Sequence, residues 1–282
     1  MKIGMIGMGI VGGATYNLLS RVHEMIPYDK YKEPYKNPKK LKNAEAVFIC
    51  VPTPMKPSGE MDYSPIHNSL ETLVEVNSNN EKRPLVVIRS TAVSGATDML
   101  EKNYDFNFVF NPEFLREKHA IEDMENTDRI VIGANRKEDA EKMESIYRPI
   151  FPNANYIFVN RKTAEMIKYA ANVTLAGQIA IANEIYQICS RLGIDYDLVK
   201  KTVLMDERIG KNIDVPGPDG DFGFGGKCFP KDLNALMYLA RENGYHPNLL
   251  EEIWRLNEKV RKNKDWLNIT GTMSENNLDK KK

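Results

Sequence analysis

Lys2-Ile3-Gly4-Met5-Ile6-Gly7-Met8-Gly9-Ile10-Val11-Gly12 is the stretch whose reading decides the fold. Lys2 to Ile6 is a short apolar strand, three glycines follow at G-x-G-x-x-G spacing, and Ala14, Leu18 and Leu19 continue at helical spacing. In such a strand–turn–helix the first glycine makes the tight turn and the second lets a pyrophosphate touch the backbone. The third lets helix and strand pack closely. The pyrophosphate rests on the helix N-terminus, so Gly7, Gly9, Ile10, Val11 and Gly12 form the candidate cradle. A second strand, Glu24 to Tyr28, ends at Asp29-Lys30, about 20 residues beyond the glycines, where an acidic side chain binds both hydroxyls of an adenosine ribose. The carboxylate would repel a 2′-phosphate, which favours NAD over NADP. The alternative for Asp29 is a plain turn aspartate.

Working outward, Ala46 to Val51 is a continuous apolar run of the kind buried on both faces in a parallel sheet, stopped by Pro52-Thr53-Pro54. Tyr31 to Lys42 reads as a loop. Pro65 to Val76 reads as a helix, and Leu85 to Ile88 as a strand that delivers Ser90 and Thr91 to its carboxyl end, where open α/β sheets bind ligands. Capping of the next turn is the other reading of these two residues. Phe108 to Phe110, Ile130 to Gly133 and Tyr156 to Val159 are further strands, and the charged segment from Lys137 to Tyr147 is a helix. Glu113 and Glu117, just past a strand, suit acid/base or water-positioning work, or are solvated charges. Residues 1–160 are therefore predicted to form a Rossmann-type, doubly wound, mostly parallel α/β domain.

From Thr163 to Leu192 apolar residues recur at helical spacing, giving a helix of roughly 45 Å, closed by Gly193. Lys168 and Asn172 share one of its faces. A lysine on an apolar face either pairs with a neighbour to stabilise an oxyanion or extends its stem to water. Asp195 to Met205 and a segment from Asn248, with Leu249, Leu250, Ile253, Leu256 and Val260 as apolar positions, are further helices. Residues 161–267 thus form an all-α domain, and residues 268–282 are polar and expected to fray.

Between those helices lies Phe222-Gly223-Phe224-Gly225-Gly226-Lys227-Cys228-Phe229-Pro230-Lys231-Asp232. The glycines let a substrate approach the main chain, and Pro230 suits the first position of a helix. Cys228 then sits at a helix N-terminus beside Lys227 and Lys231, which favours thiolate over thiol. Asp232 lies one turn on, on the same face. A buried, inert cysteine beside a glycine turn is the alternative.

With 282 residues and equal numbers of acidic and basic side chains, 39 each, the chain has no general excess of positive charge for nucleic acid or anionic membranes. No apolar run of about 18 residues occurs, and because Met1-Lys2-Ile3 leads directly into a strand pattern no signal peptide is expected. Three cysteines, 50, 189 and 228, fit a reduced, cytoplasmic protein. Four histidines without a Cys/His cluster argue against structural zinc, and no metal is expected.

Taken together, Gly7 to Gly12, Asp29, Val51-Pro52-Thr53-Pro54, Ser90-Thr91, Pro112 to Glu117, Lys168 to Asn172, Asp206 to Gly210 and Gly223 to Asp232 resemble the nucleotide-sugar 6-dehydrogenase family, most closely its UDP-glucose-oxidising members. The resemblance implies NAD-dependent oxidation of C6 of UDP-glucose to the uronate in two steps through a Cys228 thiohemiacetal and thioester. It implies Lys168 and Asn172 as oxyanion stabilisers, and Asp232 with Thr91 and Glu113 around a proton-relaying water. Glu117, Phe114, Leu115, Arg208, Phe224, Gly225 and Lys231 then face the substrate; Lys30, Val51, Pro52, Thr53, Ser90 and Thr91 join the cofactor site. It further implies a homodimer through the long helix, with Arg208 reaching the neighbour's substrate. The family places a second Rossmann-like domain after that helix, and this sequence stops where it would start. The expectation is weakened activity, or a separate chain supplying the missing half. Two alternatives remain: a non-catalytic paralogue that keeps the fold and dimer, and a hydroxyacid dehydrogenase, a class without a cysteine loop that makes one NADH per substrate.

Overall fold

The computed structural model of the chain describes residues 1–78, 80, 83–211 and 213–274. It forms two compact units: Met1–Thr53 with Tyr63–Lys168, and Pro54–Asp62 with the residues from Tyr169 on. The division falls at Lys168 rather than at 160, and Pro54–Asp62 belongs with the helical residues because Met55 bridges to Met273.

In the first unit, β1 (Lys2–Ile6), α1 (Ile10–Leu19), β2 (Glu24–Tyr28), β3 (Ala46–Ile49), α2 (Ser64–Val76), β4 (Leu85–Ile88) and α3 (Ala96–Asn103) come first. They are followed by β5 (Asn107–Phe110), α4 (Ala120–Glu125), β6 (Arg129–Ala134), α5 (Lys137–Tyr147) and β7 (Asn155–Val159), and α6 (Arg161–Leu192) starts here. The sheet runs β2-β1-β3-β4-β5-β6-β7. Strands β1 to β5 are parallel, β6 runs antiparallel to β5, and β7 runs parallel to β6. Every residue of β3 and β4 is buried, which explains their unbroken apolar runs. Val47, Ile49, Val86 and Ile88 face α2 and α3, while Phe48, Val87 and Val109 face α1, α4 and α5. The chain leaves β1 for β2 on one side and reaches β3 on the other. The sheet therefore splits its connections at the carboxyl ends of β1 and β3, the place where such sheets bind ligands.

Strand β2 is the sheet edge, and it contains a proline. Glu24 N–H donates to Met1 O, and Tyr28 O accepts from Gly7 N–H, so these residues turn toward β1 and Pro27, one position from Tyr28, turns away. Its missing N–H falls on the unpaired side and costs no ladder bond. The connector read as a loop contains a 3-10 helix, Pro38–Asn43, capped by the Asn37 side chain on Lys39 N–H and anchored by fully buried Leu41.

The start of α6 is clamped onto α3. Arg161, 2% exposed, bonds Asp98 at 2.8 Å and also pairs with Glu101. One turn later the buried Glu165 carboxylate accepts from Gly95 N–H (2.6 Å), Thr97 N–H (2.8 Å) and the Thr97 hydroxyl (2.6 Å), filling the donor-rich end of α3. Packing here is tight: a Cβ on Gly133 of β6 would lie 2.5 Å from Ala164 Cβ.

In the second unit α6 continues, followed by α7 (Tyr196–Val203), α8 (Cys228–Glu242) and α9 (Asn248–Val260). Val173 and Ala176 of α6, Phe224, and Leu233 and Met237 of α8 form its core, with Ile253 and Trp254 of α9 packed against it. Gly193, at φ +68°, ends α6, with Ile194 N–H returning to Cys189 O, as left-handed helix ends do. Helix α8 starts at Cys228, so Pro230 is its third residue, where a helix still leaves N–H groups unpaired. Leu249, one of the apolar positions of α9, is 72% exposed. Of the tail expected to fray, residues 268–274 are held: Met55 N–H donates to Thr272 O, Ser274 N–H to Met55 O, and the Ser274 hydroxyl to Asp62. Its polar side chains find partners rather than solvent; residues 275–282 lie outside the described part.

Burial raises the Glu165 carboxyl from 4.5 to about 7, its three donors pulling the other way. A raised folded value favours the protonated form, so this contribution is complete below about pH 4.5 and is lost as pH rises to about 7. The stability difference between wild type and Glu165→Gln should shift against wild type by up to roughly 3 kcal/mol across that window. Urea unfolding at several pH values measures it; a pH-independent difference contradicts the assignment.

Candidate active site

At the carboxyl end of β1, Gly7 has φ +90° and a Cβ there would meet Cys50 O at 2.5 Å, while a Cβ on Gly12 would meet Gly7 O at 1.9 Å. These two glycines are required by packing. Gly9 differs: nothing lies within 4 Å of its would-be Cβ, so the backbone at the start of α1 is open to an approaching group. No acidic residue occupies the first turn of α1, which leaves its N-terminus suited to an anion. Asp29 ends β2 and is 9% exposed. Its Oδ2 accepts from Met8 N–H at 2.8 Å, and its Oδ1 from Tyr31 and Lys32 N–H. These bonds aim the carboxylate beside the glycine turn, and each oxygen keeps acceptor capacity for a ribose hydroxyl. The residues present therefore fit a dinucleotide. Lys30 is exposed beside Tyr31.

Along the crevice, Val51 is half-buried, Pro52 exposed and Thr53 buried. The Ser90 hydroxyl donates to Val51 O at 2.7 Å and Ile49 O at 3.2 Å, tying the ends of β3 and β4 together. Thr91 is half-buried next to it. Cys50, with Sγ 3.6 Å from Met5 Sδ, is raised by burial to about 12 and packs, half-buried, against the core.

Past β5, Glu113 pairs with Lys168 of α6 at 3.0 Å, both nearly buried. Glu113 also accepts from Leu115 N–H at 2.7 Å. The Phe114 ring has the Lys168 ammonium at 5.7 Å and the Arg129 guanidinium at 4.7 Å, each within cation–π range. Leu115 packs on the sheet face that carries α1, α4 and α5. Glu117 is exposed, in a 3-10 turn before α4. Lys168 therefore does not extend to water; its charge is compensated inside the unit.

In the second unit, Cys228 is the first residue of α8 and is exposed, whereas Cys189 is buried. One turn on, Asp232 is 1% exposed and accepts from Asn172 Nδ2 at 2.5 Å and from Lys231 Nζ at 2.5 Å. Lys231, expected at the substrate, is buried and committed to Asp232. The structure thus gathers the expected residues into two groups, Lys168 with Glu113 and Phe114, and Asn172 with Asp232 and Lys231.

The glycine loop is built differently from expectation. A Cβ on Gly225 would lie 2.0 Å from the Arg261 guanidinium, and one on Gly223 would lie 2.2 Å from Asn257 Oδ1; α9 and the turn after it take up that space rather than substrate. Gly226 alone of the three has nothing within 4 Å. The Phe224 ring is 3% exposed in the core, and both of its main-chain groups bond Asn257, at 2.7 and 2.9 Å. Gly223 N–H is held by Asn183 and Gly226 N–H by Asp265. Asn183, Asn257, Arg261 and Asp265 position the thiol loop and were missed in the sequence. Their signal was present as two asparagines inside otherwise apolar helical faces. Arg208 lies in an exposed turn, bonded to its neighbour Asp206 at 2.9 Å. Among the described residues, no group of three or more His, Cys, Asp or Glu is placed to hold a metal, and no helix is long and apolar enough to cross a membrane.

A glycine turn at the switch point of a parallel sheet, with an acidic residue ending the next strand, defines a dinucleotide-binding protein; here a helical unit carrying an exposed thiol follows it. Sequence comparison refines the class. Residues 28–151 match the NAD binding domain, and residues 162–259 the central domain, of the UDP-glucose/GDP-mannose dehydrogenase family. The chain is 40% identical over 225 residues to a UDP-glucose 6-dehydrogenase of Rickettsia bellii, covering 78% of this chain and 50% of that protein. Its fold is similar to a UDP-glucose dehydrogenase of Pyrobaculum islandicum (TM-score 0.81, 28% identity, 92% of this chain and 68% of that one). It is also similar to a GDP-mannose dehydrogenase of Pseudomonas aeruginosa (TM-score 0.68, 30% identity, 92% and 69%). The chain belongs to the UDP-glucose/GDP-mannose dehydrogenase family and carries its NAD-binding and central domains. It spans about half the length of the curated relatives it matches.

Because Asn257 satisfies two buried main-chain groups of Phe224, Asn257→Ala leaves both without a partner. A loss of about 2 kcal/mol in urea unfolding is expected; an unchanged midpoint would show that the loop does not depend on this side chain.

Proposed function

We propose that the chain oxidises the C6 alcohol of UDP-glucose to UDP-glucuronate in two NAD-dependent steps, with Cys228 as the covalent station. The observation that carries this reading is the exposed thiol at the first residue of α8, with the Asn172–Asp232–Lys231 group buried one turn behind it. NAD bound in the crevice would accept the hydride of each oxidation, held by Gly7, Gly9, Ile10, Val11, Gly12 and Asp29.

The chain's own residues divide the remaining work. In the first oxidation the C6 alcohol loses its hydroxyl proton and a hydride, giving an aldehyde. The Cys228 thiolate then adds to the aldehyde carbon, forming a C–S bond and a thiohemiacetal. Loss of a second hydride gives the thioester; water attacks it, the C–S bond breaks, and the uronate leaves with the thiol restored. Oxyanions form at several of these stages. Lys168 supplies a fixed positive charge for them, compensated at rest by Glu113. Asn172 has one amide hydrogen committed to Asp232, which fixes the amide plane and leaves the second hydrogen for the same oxyanions. Glu113, Asp232 and Thr91 are the groups available to relay protons and position the hydrolytic water. Glu117, Phe114, Leu115 and Arg208 are proposed substrate contacts.

Ile181, Ile185, Ile188 and Leu192 recur along one face of α6 and are 62%, 41%, 51% and 67% exposed. A row of this kind marks an interface, and we propose a homodimer through it, with Arg208 reaching the neighbouring copy's substrate. Such a protein would work among the soluble contents of the cytoplasm.

The purified protein should form two NADH per UDP-glucose consumed, and Cys228→Ser should stop at the aldehyde level. One NADH per substrate in the wild type, or full oxidation by Cys228→Ser, contradicts the covalent route. Separately, Ile185→Glu with Leu192→Glu should convert a dimer to a monomer in light scattering; an unchanged mass rules out this face as the interface.

A further inference from the structure

The free edge of the sheet in the first unit carries a groove that no part of the proposed reaction uses. It has a volume of about 450 Å³ and lies between β2 and the connector that follows it. Ile26, 9% exposed, borders it on the strand side, and Pro34, Tyr35 and Asn37 on the connector side. Met25 and Pro27 line it too. The Met25 side chain packs on the opposite sheet face, with the cluster of Ile3 and Met5, so what it turns to the groove is main chain. Glu24 N–H and Tyr28 O are engaged with β1. By the alternation of a strand, Met25 N–H, Met25 O and Pro27 O then point away from β1, to the side on which the sheet ends.

The groove is also basic, in a chain whose charges otherwise balance. Residues 30–43 hold Lys30, Lys32, Lys36, Lys39, Lys40 and Lys42 against Glu33 alone. The nearby glutamates are already engaged, Glu24 with Lys2 at 3.7 Å and Glu33 with Lys36 at 3.0 Å. Lys40, which lines the groove, and its exposed neighbour Lys39 have no carboxylate partner among the described residues.

A segment that joins a sheet edge is held by main-chain hydrogen bonds and selected by its side chains. Lysines and a proline on an edge turn ordinary apolar strands away. The same lysines favour a strand that carries carboxylates, and Pro27 removes one donor while leaving its carbonyl. A phosphodiester backbone has no donors to offer the two free carbonyls, so the groove suits a peptide better than a nucleic acid. We propose that it takes an extended acidic segment of a partner protein, which adds to the sheet beside β2. The main chain of that segment bonds Met25 N–H, Met25 O and Pro27 O, and its carboxylates meet Lys39 and Lys40. The site does not depend on the proposed oxidation.

The test is fluorescence anisotropy of a labelled octapeptide of alternating valine and glutamate with the whole chain. One control replaces glutamate by lysine; the other is the valine–glutamate peptide with every amide N-methylated, which keeps the charge but has no donor. The acidic peptide should bind with a dissociation constant of up to about 1 mM at low salt, and both controls at least about tenfold more weakly. Lys39→Glu with Lys40→Glu, two changes at exposed positions, should weaken the acidic peptide about tenfold. Saturating peptide should slow hydrogen exchange at the Met25 amide at least about tenfold. Equal binding of the N-methylated peptide would reduce the groove to a charged surface. That result, undiminished binding to the double variant, unchanged exchange at Met25, or no binding of the acidic peptide would each overturn the proposal. Tighter binding of oligouridylate than of the peptide would assign the lysines to nucleic acid and overturn it as well.

Discussion

A single polar stripe along α6 sets the terms for much of this structure. Arg161, Glu165, Lys168, Asn172 and Asn183 are 2%, 0%, 3%, 7% and 2% exposed, and their spacing keeps them on one side of the helix. Each is expensive to bury without a partner, and each has one. Arg161 pairs with acids of α3, Glu165 fills the amino end of α3, and Lys168 pairs with Glu113. Asn172 bonds Asp232, and Asn183 holds the thiol loop at Gly223. Apolar packing alone would be satisfied by several rotations of such a helix; within each unit the specific polar partnerships are satisfied by one.

The same stripe separates scaffold from chemistry. Arg161, Glu165 and Asn183 spend their polar atoms on holding neighbouring elements. Lys168 and Asn172 stand between them in the helix, and their bonds to Glu113 and Asp232 fix their orientation. Preorganisation of this kind is what allows fixed dipoles to stabilise charge that develops during a reaction. The thiol loop follows a similar logic. Gly225 and Gly223 are demanded by Arg261 and Asn257 packing into the space a side chain would take, and the result is an exposed cysteine on a main chain that is itself tied down.

Much of this was legible in the sequence. The unbroken apolar runs of β3 and β4 gave a buried parallel sheet, the glycine turn gave its switch point, and the long apolar repeat gave α6. The glycines around Cys228 were legible as a constraint but not as to its cause. Close approach by a substrate and close approach by an arginine in the turn after a helix, 36 residues later, make the same demand on a backbone, and only the packing distinguishes them. Phe224 was misjudged for a related reason: a phenylalanine between two glycines presents its ring to a site or to a core with equal ease, and here Trp254 and Phe229 receive it. The ordered turn at Thr272 and Ser274 could not be read because its partners, Met55 and Asp62, lie more than two hundred residues away. The capping role of Glu165 was hidden because a glutamate in a helix is ordinarily a surface residue.

At the centre of the account is the proposal that the Cys228 sulfur captures the substrate's aldehyde between two oxidations and is acylated by the second, on a loop held by side chains of α6, α9 and the turn after it. Intact-protein and peptide mass spectrometry of the chain, acid-quenched during turnover with UDP-glucose and NAD, tests that claim most directly. The account predicts a transient mass increase equal to UDP-glucuronate less one water, the acyl group of the thioester, carried by the peptide containing Cys228. Formation of the uronate with no adduct on that peptide at any quench time would contradict it.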